Sequence, residues 1–112
     1  MLAHVRVLAV GIMMELDELF VVVEGYPNYI VSNYGRVINR VHGHDLVQSH
    51  YPDGHCKVML YHHGVGRTVQ VHQLVAQAFF DEWVPGLEVF HIYPDYDDNS
   101  VTNLTLGEYI WS

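Results

Sequence analysis

Val71-His72-Gln73-Leu74-Val75-Ala76-Gln77-Ala78-Phe79 is the stretch that sets the fold class. Its apolar residues Val71, Leu74, Val75, Ala78 and Phe79 recur at i, i+3, i+4, i+7 and i+8, one face of a helix and not the alternation of a strand. The reading predicts a helix over 71–80. Such a face must be buried against another layer. Upstream, short apolar segments predict strands over 19–23, 29–31, 36–41, 56–61 and 67–71. Gly25, Pro27-Asn28, Asn33-Tyr34-Gly35, Pro52-Asp53-Gly54 and Gly64-Val65-Gly66 break them apart. Downstream come a Pro85-Gly86 turn, a short strand over 88–92, an Asp-rich loop over 93–100, and an ending over 101–111 that reads as strand or helix. The expectation is an α+β fold, a small antiparallel sheet with one packed helix.

The 112 residues suit one domain and leave no room for a second core, and 50% hydrophobic content excludes disorder. A formal net charge of −8 opposes phosphate neutralisation, so duplex DNA is a disfavoured partner. The charge is uneven. Asp81, Glu82, Glu88, Asp95, Asp97, Asp98 and Glu108 face no Lys or Arg in the last third, which makes either a solubilising face or a surface for a cation or basic partner. A single cysteine, Cys56, excludes an internal disulfide and fits a reducing cytoplasm; strand alternation packs it inward and turns Lys57 outward. The apolar run from Val7 to Met14 is too short to cross a membrane and has no A-x-A cleavage site after it. It reads as an extra edge strand or as upstream of a start at Met13 or Met14.

Two segments together carry a family resemblance. Glu18 to Val37, through Gly25-Tyr26 and Tyr29-Ile30-Val31-Ser32-Asn33-Tyr34-Gly35-Arg36-Val37, resembles the nuclease-associated modular motif of phage homing endonucleases. Val71 to Phe79, then Val89-Phe90-His91-Ile92, then Asn99-Ser100-Val101-Thr102-Asn103-Leu104, resembles the HNH endonuclease pattern. The resemblance divides the chain into an N-terminal extension (1–17), a modular-motif-like β region (18–70) and an HNH-like region (71–112) within one compact domain. It implies a ββα unit with one divalent metal, Mg or Mn, that stabilises a scissile phosphate while a strand histidine activates water. His91 falls at the general-base position, and Asn103 at the asparagine that ties the loop and orients the base.

The chain departs from the pattern where hard oxygen ligands are required. Phe90 stands where the family has Asp or Asn, Tyr93 and Pro94 replace the following Asp and Gly, and the second ligand position falls at about Ser112. The expectation is therefore a degenerate site in which His91 and Asn103 are vestigial, with no cofactor. Asp95, Asp97 and Asn99 alternate like the first ligands of an EF-hand, but Ser100 and Leu106 occupy its Gly and Glu positions. The pairs His42/His44 and His62/His63 read as surface histidines. His72, at the helix start, reads as packed or hydrogen-bonded near the site, and His91 without a metal as a half-buried strand histidine.

If DNA is bound, the resemblance points to Ser32, Asn33 and Arg36, joined by the cations Arg40, Lys57 and Arg67. Ser32 and Asn33 also have an ordinary role in the Asn-Tyr-Gly turn. The leading reading is a catalytically impaired HNH-like protein of a bacterial host's cytoplasm. It would bind, through Glu88, Asp95, Asp97, Asp98 and Glu108, a basic nucleic-acid-handling protein: a polymerase, a nuclease or a defence complex. An active nicking endonuclease and a DNA-binding remnant that does not cut are the alternatives.

Overall fold

Strict alternation builds the centre of the fold. In β6 (Cys56–His62) the side chains of Cys56, Val58 and Leu60 are buried while Met59 and Tyr61 are exposed, as a strand covered on one face requires. β6 pairs with β7 (Val65–Gln70) from Lys57↔Gln70 to His62↔Val65, and with the two-residue β5 (Ser49–His50) on its other edge. The computed structural model describes residues 17–107; the N-terminal extension up to residue 16, Glu108 and Ser112 lie outside them. A second antiparallel sheet has the order β1 (Phe20–Val23), β2 (Tyr26–Ser32), β3 (Val37–Asn39), β4 (His44–Asp45). A third pairs β8 (Val89–His91) with β9 (Leu104–Leu106).

The α+β class expected from the sequence, a small antiparallel sheet with one packed helix and a truncated ββα unit, is the one observed, with the upstream strands divided between two antiparallel sheets and β8–β9 forming a third. β4 and β5, which add an edge strand to each of the first two sheets, are too short and polar to show as strands in sequence. β7 runs straight into α1 (Val71–Phe79), whose first helical turn starts at the residue after the strand. α1 contacts β1, β2, β6, β7, β8 and β9. Enclosure on several sides explains why Ala76 and His72 are buried along with the expected apolar face, leaving Gln73 and Gln77 at the margin. Phe79, Leu60, Val31, Val37, Val71 and Val75 are the largest fully buried apolar side chains among the described residues, and one core cluster includes residues of all three sheets. Of the ending over 101–111, residues 108–111 lie outside the described ones, and the described part holds both a helical turn and a strand. A single 3-10 turn (Val101–Asn103) leads into β9.

The turn between β2 and β3 ties the two sequence motifs together. Ser32 Oγ accepts the backbone N–H groups of Tyr34 and Arg36, and Gly35 holds φ +89°, open to glycine without a Cβ penalty. A Cβ at Gly35 would lie 3.1 Å from Asn99 Cβ. The Val101 N–H donates to the Asn33 carbonyl at 2.8 Å. The modular-motif turn is thus pressed directly onto the loop that follows His91.

Candidate functional site

β8 places His91 beside a loop that Asn103 closes. Asn103 Oδ1 accepts the Tyr93 N–H at 2.8 Å, and its Nδ2 donates to the carbonyls of Asp98 (2.9 Å) and Tyr93 (3.3 Å). With that side chain committed to three backbone groups, the contact on the His91 ring comes from a residue the sequence did not single out for it. Asn99 Oδ1 lies 2.7 Å from His91 Nε2. Asn99 Nδ2 donates to the Tyr96 carbonyl, so its Oδ1 is turned toward the ring as the acceptor and His91 Nε2 is placed to donate to it. Asn103 thus closes the loop from which Asn99 reaches the His91 ring. Asn99 is 2% exposed, and its place two residues beyond Asp97 in a polar loop gives no periodic signal of burial.

Three imidazoles meet in front of this loop. The His55 ring centroid is 4.8 Å from that of His72 and 5.6 Å from that of His91, and the His72 and His91 centroids are 5.1 Å apart. Tyr96 stacks on His55 at 4.1 Å. They line a cavity of about 380 Å³ together with Gln70, Gln73, Glu88 and Phe90. His72 is 4% exposed and its Nδ1 is buried with no hydrogen-bond partner. Burial, reinforced by the neighbouring imidazoles of His55 and His91, pushes it down from the ordinary histidine value to about 4. His55 Nδ1 approaches Asp53 Oδ2 at 2.9 Å, without the alignment of a hydrogen bond. Asp53 is held below the usual carboxylate range by the His55 backbone N–H first and its ring second. His72 thus sits near the site as expected, whereas His55 sits in a Pro-Asp-Gly turn whose tertiary position no sequence pattern announces.

The residues expected to touch DNA divide sharply. Ser32 and Asn33 are buried and already engaged with backbone, since Asn33 Oδ1 accepts the Leu19 N–H at 2.7 Å and its Nδ2 donates to the Asp17 carbonyl. They serve the turn, the ordinary role also expected of them from the sequence, and their polar side-chain atoms are spent on backbone groups. Arg36 is exposed but forked onto Asp45 through Nε and Nη2 at 2.9 Å each, reaches Glu18 at 2.7 Å through Nη1, and lies over the Phe20 ring. The Asp45 hydrogen bonds and then Glu18 hold its guanidinium charge firmly in place, while Arg36 in turn lowers Asp45. Arg40 is exposed beyond β3. Lys57 lies over the Tyr51 ring at 4.6 Å, and Arg67, on β7, lines a second groove with Tyr26, Tyr51 and Trp83.

The acids of the 93–100 loop hold one another and the loop. Asp95 Oδ1 accepts the Asp97 N–H, Asp98 Oδ1 accepts both the N–H and the hydroxyl of Ser100, and Asp97 Oδ1 lies 2.6 Å from His50 Nε2. Asp97 is lowered by His50 and then by the Cys56 thiol, and burial with Asp97 nearby raises the thiol. His50, Cys56 and Asp97 are the group of three metal-type side chains among the described residues. Sequence spacing misses it because Asp97 is far from the other two along the chain.

No family model matches the chain. It is 39% identical over 83 residues to the DNA endonuclease I-HmuI of Bacillus phage SP01, covering 73% of this chain and 48% of that protein. The fold matches a solved structure of the HNH homing endonuclease I-HmuI, described for its DNA binding and cleavage, at a TM-score of 0.75 and 36% identity, over 80% of this chain and 52% of that one. The chain belongs to the phage HNH homing endonucleases. A second HNH relative, the H-N-H endonuclease F-TflII of Escherichia phage T5, is 31% identical over 97 residues, covering 83% of this chain and 47% of the relative. The chain spans about half the length of the curated relatives it matches. Among the described residues no helix is long and apolar enough to cross a membrane.

HNH chemistry implies a hard divalent cation, and the described residues around His91 do not fit one. The Phe90 ring, half exposed, occupies the position next to the histidine and offers no donor atom. Glu88 is the carboxylate lining the cavity, and no group of three metal-type ligands among the described residues includes it or His91.

Proposed function

We propose that this chain is an HNH-fold binding module that does not hydrolyse phosphodiesters with Mg²⁺ or Mn²⁺, and whose acidic face around His91 engages a basic, nucleic-acid-handling protein such as a polymerase, a nuclease or a defence complex. The observation that carries the reading is Phe90 on β8, directly before His91. A histidine base can deprotonate water, but without a cation nothing offsets the charge that develops on the phosphate and the leaving oxygen. The surroundings favour a positive partner over a phosphate. Glu88 lines the His91 cavity, the exposed Asp95 and Asp97 and the half-buried Asp98 follow Pro94 of its lining along the chain, and Arg36 is neutralised by Asp45 and Glu18. A partner with a groove shaped for phosphate would meet this face with fast, salt-sensitive association.

The second reading, a module that binds DNA without cutting it, draws on the groove where Arg67 meets Tyr26, Tyr51 and Trp83, a cation among stacking surfaces. One set of measurements separates the two. Supercoiled plasmid incubated with the chain and Mg²⁺ or Mn²⁺ is expected to stay intact. A basic protein captured from nuclease-treated, phage-infected bacterial lysate is expected to be lost on combined Glu88→Lys and Asp95→Lys substitution. Metal-dependent nicking abolished by His91→Ala would overturn the impaired-site reading. Duplex or single-stranded DNA binding that disappears with Arg67→Ala and Lys57→Ala, with capture unchanged by the charge reversals, would replace the protein partner with DNA.

A further inference from the structure

We propose that His50, Cys56 and Asp97 form a zinc-class metal site that staples the loop after His91 to the β5–β6 edge. This inference does not rest on the function proposed above, because none of the three residues lines the His91 cavity. His50 and Cys56 are directly opposed across the antiparallel β5–β6 pairing, which fixes two ligands on a rigid sheet edge, and Asp97 reaches them from the 93–100 loop. One ligand atom from each lies within 4.8 Å of the others. A tetrahedral zinc ion with ordinary Zn–S and Zn–N or Zn–O bonds spaces its ligand atoms about 3.5 Å apart. The Sγ to Asp97 Oδ1 distance is already 3.4 Å, and the 2.6 Å between His50 Nε2 and that oxygen opens by a small rotation of the half-exposed His50 ring.

The surroundings of the sulfur point the same way. Cys56 is 3% exposed, yet two oxygens converge on it, the Tyr96 carbonyl at 3.3 Å and Asp97 Oδ1 at 3.4 Å. A thiol has one proton and can satisfy one acceptor at a time, whereas a cation bound to the thiolate satisfies both. A thiolate, an imidazole and a carboxylate are the donor set of Zn²⁺ or Co²⁺ and a poor one for Mg²⁺. The Tyr96 carbonyl or a water completes four-coordination. Metal entry displaces the thiol proton and, where His50 carries the proton of its ion pair with Asp97, that proton too. The consequence for the HNH loop is direct. Asn99 donates to the same Tyr96 carbonyl and accepts from His91, so a metal here would set the orientation of the strand histidine from outside the cavity.

Cobalt titration of the full chain tests this, because Cys56 is the chain's single cysteine and any sulfur-to-cobalt charge transfer belongs to it. Co²⁺ is expected to give a near-ultraviolet charge-transfer band and tetrahedral visible bands that saturate at one equivalent and are displaced by Zn²⁺. Cys56→Ser abolishes the charge-transfer band, His50→Ala and Asp97→Asn weaken binding by more than about tenfold, and combined His42→Ala and His44→Ala leaves the spectrum unchanged. The Asp97→Asn and His50→Ala variants keep the thiol and give an answer even if the serine variant misfolds. Cobalt binding without the sulfur band would place the ion on the His55, His72 and His91 cluster or on surface histidines and overturn the proposal. So would an absence of saturable binding.

Discussion

Acidification should unfold this protein through His72, and the size of the effect follows from its site. The ring is neutral in the folded chain because burial and two neighbouring imidazoles oppose its charge, lowering it from 6.5 to about 4. The unfolded chain therefore takes up the proton first. The stability is fully present above about pH 6.5 and is lost as pH falls toward about 4. With those two values the loss is about 2 kcal/mol near pH 5 and about 3 kcal/mol near pH 4, a large share of a small domain's margin. The assay is urea denaturation at about pH 7.5, 6 and 5 for the wild type and for His72→Leu, which fills a similar volume and cannot titrate. Subtracting the variant removes the contribution of the other eight histidines. The wild type should lose about 2 kcal/mol more than the variant by about pH 5. Leucine also removes a buried nitrogen without a partner, so the variant should be no less stable than wild type at neutral pH. Parallel pH profiles, or an imidazole NMR titration of folded His72 centred near 6.5, would refute the reasoning.

Leu74→Ala removes a side chain that is 6% exposed between α1 and the sheets, and should cost about 2–5 kcal/mol in urea denaturation with the slope unchanged. Gly35→Ala places a Cβ 3.1 Å from Asn99 at φ +89°, so it should lower the thermal midpoint by the equivalent of about 1–3 kcal/mol and shift the His91 ring resonances. Gly43→Ala, also at positive φ but with open space around it, should leave those resonances in place. Asn103→Ala strips hydrogen bonds from Tyr93 and Asp98 and should cost about 1–3 kcal/mol, with hydrogen exchange at the Tyr93 amide accelerating more than at core amides of β6.

The repeat of Val71, Leu74, Val75, Ala78 and Phe79 was enough to place α1, and the alternation from Cys56 to Leu60 enough to place β6, because helix and strand periods are local properties of the chain. The two motifs were legible for a related reason. Their turns need particular residues, such as glycine at Gly35, whatever the chain is used for. That Phe90 offers no donor atom beside His91 was equally readable, since no tertiary contact gives a phenyl ring a lone pair to donate. What the sequence could not supply is which residues meet at long range. His55, His72 and His91 come from a turn, a helix and a strand, and His50, Cys56 and Asp97 from two strands and a loop. Each such meeting depends on how the sheets and α1 pack, a nonlocal outcome with no periodic trace in the chain. The same packing decided that Asn99 holds the histidine ring, that Ser32 and Asn33 turn inward to satisfy backbone groups, and that Arg36 spends its charge on Asp45 and Glu18. A side chain's type is written in the sequence; the groups left over to pair with it are set only when the backbone has chosen its neighbours.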